Sequence, residues 1–217
     1  MEAINSKIVS LRKEYSNAFL NEEDVNLNPF KQFELWMHQA VEAQILEPHA
    51  MTVSTVSAEG KPSSRIVLLR GFDENGFVFY TNYSSHKGND MAQNKYACLN
   101  FFWPDLERQI RIEGSILKIN QQISADYFHS RPRESQIGAW ASNQSAVIEN
   151  RKVVEDAFLH YTEQFKHLEV IPKPAHWGGY NIIPTSIEFW QGRPSRLHDR
   201  LRFSNLGEGW KIERLSP

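Results

Sequence analysis

Residues 51–82 read MTVSTVSAEGKPSSRIVLLRGFDENGFVFYTN, and the reading of this stretch decides the fold. β-Branched and aromatic residues dominate three runs, Met51 to Ser57, Ser64 to Phe72 and Phe77 to Asn82, which are expected as strands. Glu59-Gly60-Lys61-Pro62 and Asp73-Glu74-Asn75-Gly76 separate them, and the Asn-Gly pair between apolar runs is a strong hairpin signal. Strands joined by turns this short run antiparallel, since a parallel pair needs a crossover of roughly a dozen residues or more.

The same period returns downstream. Tyr96 to Trp103 and Glu107 to Ile119 read as strands around Pro104, followed by Gly179 to Ile183, Ser186 to Gln191, His198 to Phe203 and Trp210 to Leu215. Helices gather in two blocks. Ile4, Ile8, Leu11 and Tyr15 fall at helical spacing. A second helix opens at the cap Asn28-Pro29, turns Phe30, Phe33, Trp36 (or Met37), Ala40 and Val41 inward, and is stopped by Pro48. Ser84 or Ser85 caps a short helix towards Asn94, and three further pieces are expected over Ser124 to His129, Pro132 to Trp140 and Ser145 to Phe165. No internal repeat or low-complexity tract marks a linker, so residues 1–217 are expected as a single domain. The fold class is α+β, built on an antiparallel barrel.

Composition narrows the function. With 24 Lys plus Arg against 26 Asp plus Glu, the formal charge of −2 excludes a globally basic nucleic-acid coat and a polybasic membrane anchor. The balance is uneven: from Phe19 to Glu47 six acids face one base, whereas from Arg193 to Arg214 six bases face three acids. Whatever anion the protein holds, the C-terminal end is a candidate to hold it. No apolar run exceeds four residues, far short of the roughly 20 of a membrane-spanning helix. The start MEAINSKIVS has no secretory pattern, and Cys98 stands alone, which together lead us to expect a soluble cytoplasmic protein.

The chain carries none of the motifs G-x-G-x-x-G, G-x-x-x-x-G-K-[ST], H-E-x-x-H, G-x-S-x-G or C-x-x-C, so a cofactor must be held by other means. Arg65-Ile-Val-Leu-Leu-Arg70 is an apolar strand with an arginine at each end; by strand alternation the two cations face opposite sides unless a bulge intervenes, and two anions could be served. Ordinary strand-end charge is the plainer reading of that pair alone. Tyr127, Arg131 and Ser135 recur every four residues, so a continuous helix would stack a phenol, a guanidinium and a hydroxyl on one face, a set suited to phosphate. Pro132 threatens that continuity, and Ser130 and Arg131 then sit at a junction. Arg196-Leu-His198-Asp-Arg200 places three potential cations at period two on one strand face, which invites an anionic ligand. Gln109 and Arg111 share a strand face. Gln144-Ser145 falls where a helix N-terminus would offer free N–H groups, and Ser85-His86-Lys87-Gly88 opens another helix with two potential cations. The histidines show no ligand spacing with carboxylates, and no metal is expected.

Taken together, Arg65 to Arg70, Tyr80-Thr-Asn, Leu106-Glu-Arg-Gln109, Tyr127-Phe-His-Ser-Arg-Pro-Arg-Glu-Ser-Gln-Ile-Gly-Ala-Trp140, Glu188-Phe-Trp-Gln-Gly192 and Arg196-Leu-His-Asp-Arg200 resemble the pyridoxine/pyridoxamine 5′-phosphate oxidase family. The resemblance runs from about Leu11 to the C-terminus. It implies a homodimeric, FMN-binding split β-barrel, antiparallel and Greek-key-like with flanking helices, that holds FMN across the subunit interface. It assigns FMN contacts to Arg65, Ile66, Val67, Leu68, Leu69, Arg70, Tyr80, Thr81, His86, Lys87, Gln109, Gln144, Ser145, Trp190 and Arg200. Substrate falls to Arg70, Tyr127, Arg131 and Ser135 at its phosphate, and to Arg196, Leu197 and His198 at its ring, with Arg196 and His198 bordering the reacting carbon. Residues 1–20 look like a mobile cover, with Arg12, Lys13, Glu14 and Tyr15 over the site. Arg70 stands where lysine is usual and His86 where arginine is usual, which changes a point cation into a planar fork and a permanent charge into a titratable one.

The implied reaction is oxidation of pyridoxamine 5′-phosphate or pyridoxine 5′-phosphate to pyridoxal 5′-phosphate, with O2 as the final acceptor, H2O2 as product and ammonia released from the amine. Another FMN-binding split-barrel reductase or flavin carrier is the alternative, though it supplies no reason for Tyr127, Arg131 and Ser135. A barrel that binds single-stranded nucleic acid is opposed by the charge of −2.

Overall fold

The computed structural model describes residues 2–11 and 14–217, the side chains of Glu2, Ala3, Ser6 and Val9 excepted; Arg12 and Lys13 lie outside the described residues. The elements are α1 (Glu2–Ser10), α2 (Pro29–Glu42), β1 (Ala50–Val56), β2 (Pro62–Leu68), β3 (Gly71–Asp73), β4 (Gly76–Asn82), α3 (His86–Gln93), β5 (Tyr96–Trp103), β6 (Arg108–Lys118), α4 (Gln121–Ser130), α5 (Arg133–Ala141), α6 (Lys152–Phe165), β7 (Trp177–Gln191), β8 (Asp199–Asn205) and β9 (Trp210–Arg214). They form two compact units, each discontinuous in sequence: Met1–Pro48, Asn100–Ile112 and Ser186–Pro217 make the first, His49–Leu99 and Glu113–Thr185 the second. Among the described residues, no helix is long and apolar enough to cross a membrane.

The second unit holds the stretch quoted at the outset. β1 and β2 pair antiparallel from Ala50↔Leu68 to Val56↔Pro62. β3 and β4 pair from Gly71↔Val78 to Asp73↔Gly76, as the hairpin signal predicts. Gly76 sits at φ 138, and a Cβ there would lie 2.2 Å from the Ile182 carbonyl oxygen, so the position admits only glycine without a shift. Asp73 steadies the turn by accepting the Asn75 N–H at 2.7 Å. β4 pairs in turn with β7, from Phe77↔Ile182 to Asn82↔Trp177. Alternation along β1 and β4 buries Met51, Val53, Phe77 and Phe79. The helices of this unit cover a second apolar cluster of Phe128, Ile137, Phe165, Ile171 and Trp177.

In the first unit, α2 opens as expected: Asn28 Oδ1 accepts the Phe30 N–H at 2.9 Å and Pro29 occupies the first turn. Its buried face packs edge-on, with Phe33 5.3 Å from Phe101 and Trp36 5.2 Å from Phe189. β7 and β8 pair from Ser186↔Ser204 to Gln191↔Asp199, and β8 and β9 from Leu201↔Arg214 to Asn205↔Trp210.

Several boundaries differ from expectation, each for a local reason. The strand expected from Ser64 to Phe72 ends at Leu68, where the chain leaves β2 and the Leu69 and Arg70 N–H groups bond the carbonyls of His49 and Val78. α2 ends at Glu42, well before Pro48, because Gln44 takes a left-handed φ of 55. α6 begins at Lys152 rather than Ser145: Ser145 has φ 73, and Asn150 Oδ1 accepts the Lys152 N–H at 2.9 Å, starting the helix there. The two strands expected around Pro184 are one, β7, which pairs with β4 up to Ile182 and with β8 from Ser186. Proline, lacking an N–H, is tolerated where β7 changes partner from β4 to β8. Arg196 and His198 are not on a strand face: Pro194 to Arg196 form a single 3-10 turn with φ 56 at Ser195 and 63 at Arg196, and β8 starts only at Asp199.

Candidate functional site

The second unit contains a cavity of about 880 Å³ lined by Arg65, Ile66, Val67, Leu68, Arg70, Tyr80, Thr81, His86, Lys87, Tyr127, Arg131, Ser135, Gln144 and Ser145, among others. Leu69, also singled out, is instead buried in the core. Arg65 and Arg70 reach the same cavity although strand alternation would part them, because β2 ends between them.

At one end Lys87 is buried, and its Nζ donates to Thr81 Oγ1 at 2.9 Å, Ser85 Oγ at 3.3 Å and Gln144 Oε1 at 2.6 Å. Burial, and then the neighbouring Arg65 cation, push its pKa down to about 8. Arg65 donates to Thr55 Oγ1 at 2.7 Å and to Ser63 Oγ at 2.6 Å. Both hydroxyls in turn donate to Asp90 Oδ2, at 2.6 and 3.0 Å. Burial works to raise the Asp90 pKa, but these hydroxyls with His86 and Arg65 outweigh it and leave a carboxylate. A buried anion thus polarises two hydroxyls that fix the Arg65 fork. Sequence reading missed Asp90, Thr55 and Ser63. Two signals were present: Asp90 lies one helical turn after His86, and Ser63 lies two residues before Arg65 on the same strand face.

At the other end Tyr80 stacks on Tyr127 at 3.9 Å and on Trp177 at 5.4 Å. The Arg131 guanidinium lies over Trp177 at 4.8 Å. Tyr127, Arg131 and Ser135 do not share one helix. α4 stops at Ser130, Arg131 is extended (φ −76, ψ 151) before Pro132, and α5 begins at Arg133. The three still line one cavity, because Gln136 Nε2 braces the junction through the Arg131 carbonyl at 2.8 Å. Arg131 Nη1 is buried without a hydrogen-bond partner among the described residues, and burial lowers the guanidinium's pKa. A half-buried guanidinium that lines a cavity and has one nitrogen without a partner is suited to an anion such as phosphate.

Gln109, Trp190, Arg196, Leu197, His198 and Arg200 belong to the first unit and do not line this cavity. There the Trp190 and His198 rings lie 4.6 Å apart, and Tyr15 meets them edge-on at 5.8 and 5.9 Å. His198 Nδ1 accepts the Arg193 N–H at 3.1 Å, so the neutral ring carries its proton on Nε2. Burial, with Arg196 assisting and Asp199 opposing, moves the His198 pKa below the ordinary value and keeps the ring neutral at physiological pH. Arg200 is committed to Glu188, donating to its two carboxylate oxygens at 2.8 and 3.2 Å. Arg196 stands exposed on its left-handed backbone, a conformation that costs a non-glycine residue about 1–3 kcal/mol and concentrates at functional positions. Gln109 is half-buried on β6.

Comparison with known proteins follows the same residues. A model of the family described as pyridoxamine 5′-phosphate oxidase matches residues 37–165, and one described as the pyridoxine 5′-phosphate oxidase C-terminal dimerisation region matches residues 177–217. The pyridoxine/pyridoxamine 5′-phosphate oxidase of Gloeothece citriformis is 54% identical over 99% of this chain and 100% of its own. That of Paraburkholderia phymatum is 54% identical over 98% and 100%. Among solved structures, PhzG from Burkholderia lata, in complex with tetrahydrophenazine-1-carboxylic acid, superposes with a TM-score of 0.87 at 25% identity, covering 94% of this chain and 100% of that one. A pyridoxamine 5′-phosphate oxidase-related, FMN binding protein from Nostoc punctiforme superposes at 0.69 with 16% identity, over 89% and 100%, and supports the α+β split-barrel fold. Full-length identity near one half, two matching family models and a cavity lined by the expected arginines, lysine and tyrosines lead to one assignment: this chain belongs to the pyridoxine/pyridoxamine 5′-phosphate oxidase family.

Proposed function

We propose that this enzyme oxidises pyridoxamine 5′-phosphate or pyridoxine 5′-phosphate to pyridoxal 5′-phosphate, with FMN as cofactor and O2 as acceptor, in vitamin B6 salvage and cofactor synthesis. The observation that carries this reading is the pair of cationic ends of one cavity, Arg65 with Lys87 and Arg70 with Arg131, which suits two phosphorylated molecules. FMN fits the first end: Lys87 and the hydroxyl-braced Arg65 offer convergent donors to a phosphate, and Ile66, Val67 and Leu68 offer an apolar wall to a planar ring. His86, Tyr80, Thr81, Gln144 and Ser145, with Leu69, Arg70, Gln109, Trp190 and Arg200, complete the proposed cofactor contacts. When bound, FMN supplies the two-electron acceptor that O2 regenerates, giving H2O2.

Tyr127, Arg131, Ser135 and Arg70 bind the substrate phosphate and orient the molecule by its charged end. Arg196 and His198 place the pyridine ring; neutral His198 offers a hydrogen bond from Nε2 rather than a second positive charge. Leu197 borders the ring, and Tyr15 covers it and limits access of water. The protein works as a cytoplasmic homodimer with FMN at the subunit interface, residues 1–217 acting as one functional domain. The C-terminal match to a dimerisation region supports the dimer.

The test is direct. Purified protein supplied with FMN and air should convert pyridoxamine 5′-phosphate to pyridoxal 5′-phosphate with equimolar H2O2 and ammonia, and should neglect unphosphorylated pyridoxine. The match to PhzG, whose ligand is a carboxylic acid, favours as second reading an oxidase of an unphosphorylated substrate. Turnover indifferent to the phosphate would select that reading and reject ours.

A further inference from the structure

Glu107 belongs to the motif Leu106-Glu-Arg-Gln109, yet no role above falls to it. In the first unit it is 2% exposed, rare for a carboxylate, and its backbone takes a left-handed φ of 55. One oxygen, Oε2, accepts the backbone N–H of Ser16 at 2.8 Å and that of Asn17 at 3.0 Å. Its own carbonyl is held from the other side, accepting the Gly192 N–H at 2.7 Å and Gln191 Nε2 at 3.2 Å. Glu107 therefore joins the N-terminal segment to the end of β7. A carboxylate that caps two consecutive N–H groups orients both peptide planes, and such charge-assisted bonds are roughly twice as strong as neutral ones.

The residue that this clasp orients is Tyr15, immediately before Ser16, whose ring meets Trp190 at 5.8 Å and His198 at 5.9 Å. Gly192 lies beneath the ring: a Cβ there would fall 2.7 Å from Tyr15 Cγ and 3.0 Å from Glu107 Cβ. Downstream the same segment has other anchors, Phe19 under the Arg193 guanidinium at 3.7 Å and the Leu20 N–H on Asp199 Oδ2 at 3.2 Å. Asn17 Nδ2 also donates to the Asp105 carbonyl at 3.1 Å, so loss of the Glu107 bonds would loosen Tyr15 while leaving the chain tethered from the Asn17 side chain onward.

We propose that Glu107 is a positioning residue, which seats Tyr15 against His198 and Trp190 by holding the Ser16 and Asn17 N–H groups, and so sets the affinity for the substrate ring. It rests on the reading of His198 as a ring contact. In the holoenzyme, Glu107→Ala should speed exchange of the Ser16 and Asn17 amides by about tenfold or more as local opening becomes easier. The same variant should raise KM for pyridoxine 5′-phosphate roughly tenfold, the size of one lost charge-assisted bond, with kcat within about twofold. Glu107→Gln, whose amide oxygen can still accept both N–H groups, should recover most of both effects. Gly192→Ala approaches from the other side: it keeps the carboxylate, crowds Tyr15 most closely and Glu107 Cβ less so, and should raise KM while Ser16 and Asn17 stay protected. Unchanged exchange in Glu107→Ala overturns the clasp, and a KM unmoved in both Glu107→Ala and Gly192→Ala overturns its link to substrate; should Glu107→Ala fail to fold, Glu107→Asp, whose shorter side chain cannot hold both N–H groups, is read by the same two measurements. If neither pyridoxine 5′-phosphate nor pyridoxamine 5′-phosphate is turned over, the proposed function fails, while the exchange measurement still decides whether Glu107 holds the segment.

Discussion

At the two ends of the cavity Lys87 and Arg131 carry charge where burial disfavours it, and each has a measurable consequence. The Lys87 ammonium titrates at about 8 in the fold against an ordinary 10.5. Between those values the folded form binds fewer protons than the unfolded chain, so this group's contribution to stability improves as pH rises from about 8 towards 10.5, and its penalty is full below 8. Anion affinity runs the other way, since in the folded protein the charge that attracts phosphate is lost as pH rises through about 8. Affinity of the apoprotein for FMN, followed by flavin fluorescence, should fall between pH 7 and 9, and Lys87→Met should flatten that dependence. Arg131 leaves Nη1 without a partner. Arg131→Met should raise KM for the phosphorylated substrate by roughly ten- to a hundredfold, the loss of one or two charge-assisted bonds. Its melting temperature should hold or rise, because an unsatisfied buried donor goes with the guanidinium. A clear drop in melting temperature would mean that the stack on Trp177 matters more than the open valence.

Among the elements, the junction of α4 and α5 shows how far spacing can be read. The interval of four between Tyr127, Arg131 and Ser135 pointed to a common target, and they do line one cavity. Helical continuity was the wrong reason, because Pro132 ends α4 and the three converge from two helices and the extended residue between them. Arg65 and Arg70 teach the converse: parity places them on opposite faces, and only the early end of β2 brings both to the cavity. That end depends on bonds from Arg70 to Val78, across the hairpin, and from Leu69 to His49, and the second of these has no local signature. The β3–β4 hairpin, by contrast, is local chemistry throughout. Gly76→Ala should cost about 3 kcal/mol through its positive φ and the close Ile182 carbonyl, lowering the melting temperature by about 5–10 °C. Activity per folded molecule should persist, since Gly76 does not line the cavity; thermal denaturation with an assay of the surviving enzyme checks both.

For the whole molecule, both units are assembled from separated stretches of chain, and no single cut yields either intact. Deleting residues 177–217 removes the β7 residues that pair with β4 from Phe77↔Ile182 to Asn82↔Trp177, together with β8 and β9. Such a truncation should lose its far-ultraviolet β signal or aggregate, because β4 would expose an unpaired apolar edge; a cooperative melt in the fragment would contradict this. The near-neutral charge of −2 conceals cations drawn together from distant segments, Arg65 and Lys87 from one, Arg131 from another. By itself the sequence determined where most strands and helices lie, though not the break after Leu68 or the continuity of β7 through Pro184, and it determined the hairpin at Asn75-Gly76, the cap at Asn28 and the family motifs, because periodicity, turn chemistry and capping act over a few neighbouring residues. Only the tertiary structure decided that Asp90 braces Arg65 through two hydroxyls, that Arg65 and Arg70 share a cavity, and that Glu107 clasps a segment some ninety residues away. Those contacts follow from burial and register between remote strands, where a side chain's partner is chosen by what packing leaves within hydrogen-bonding reach.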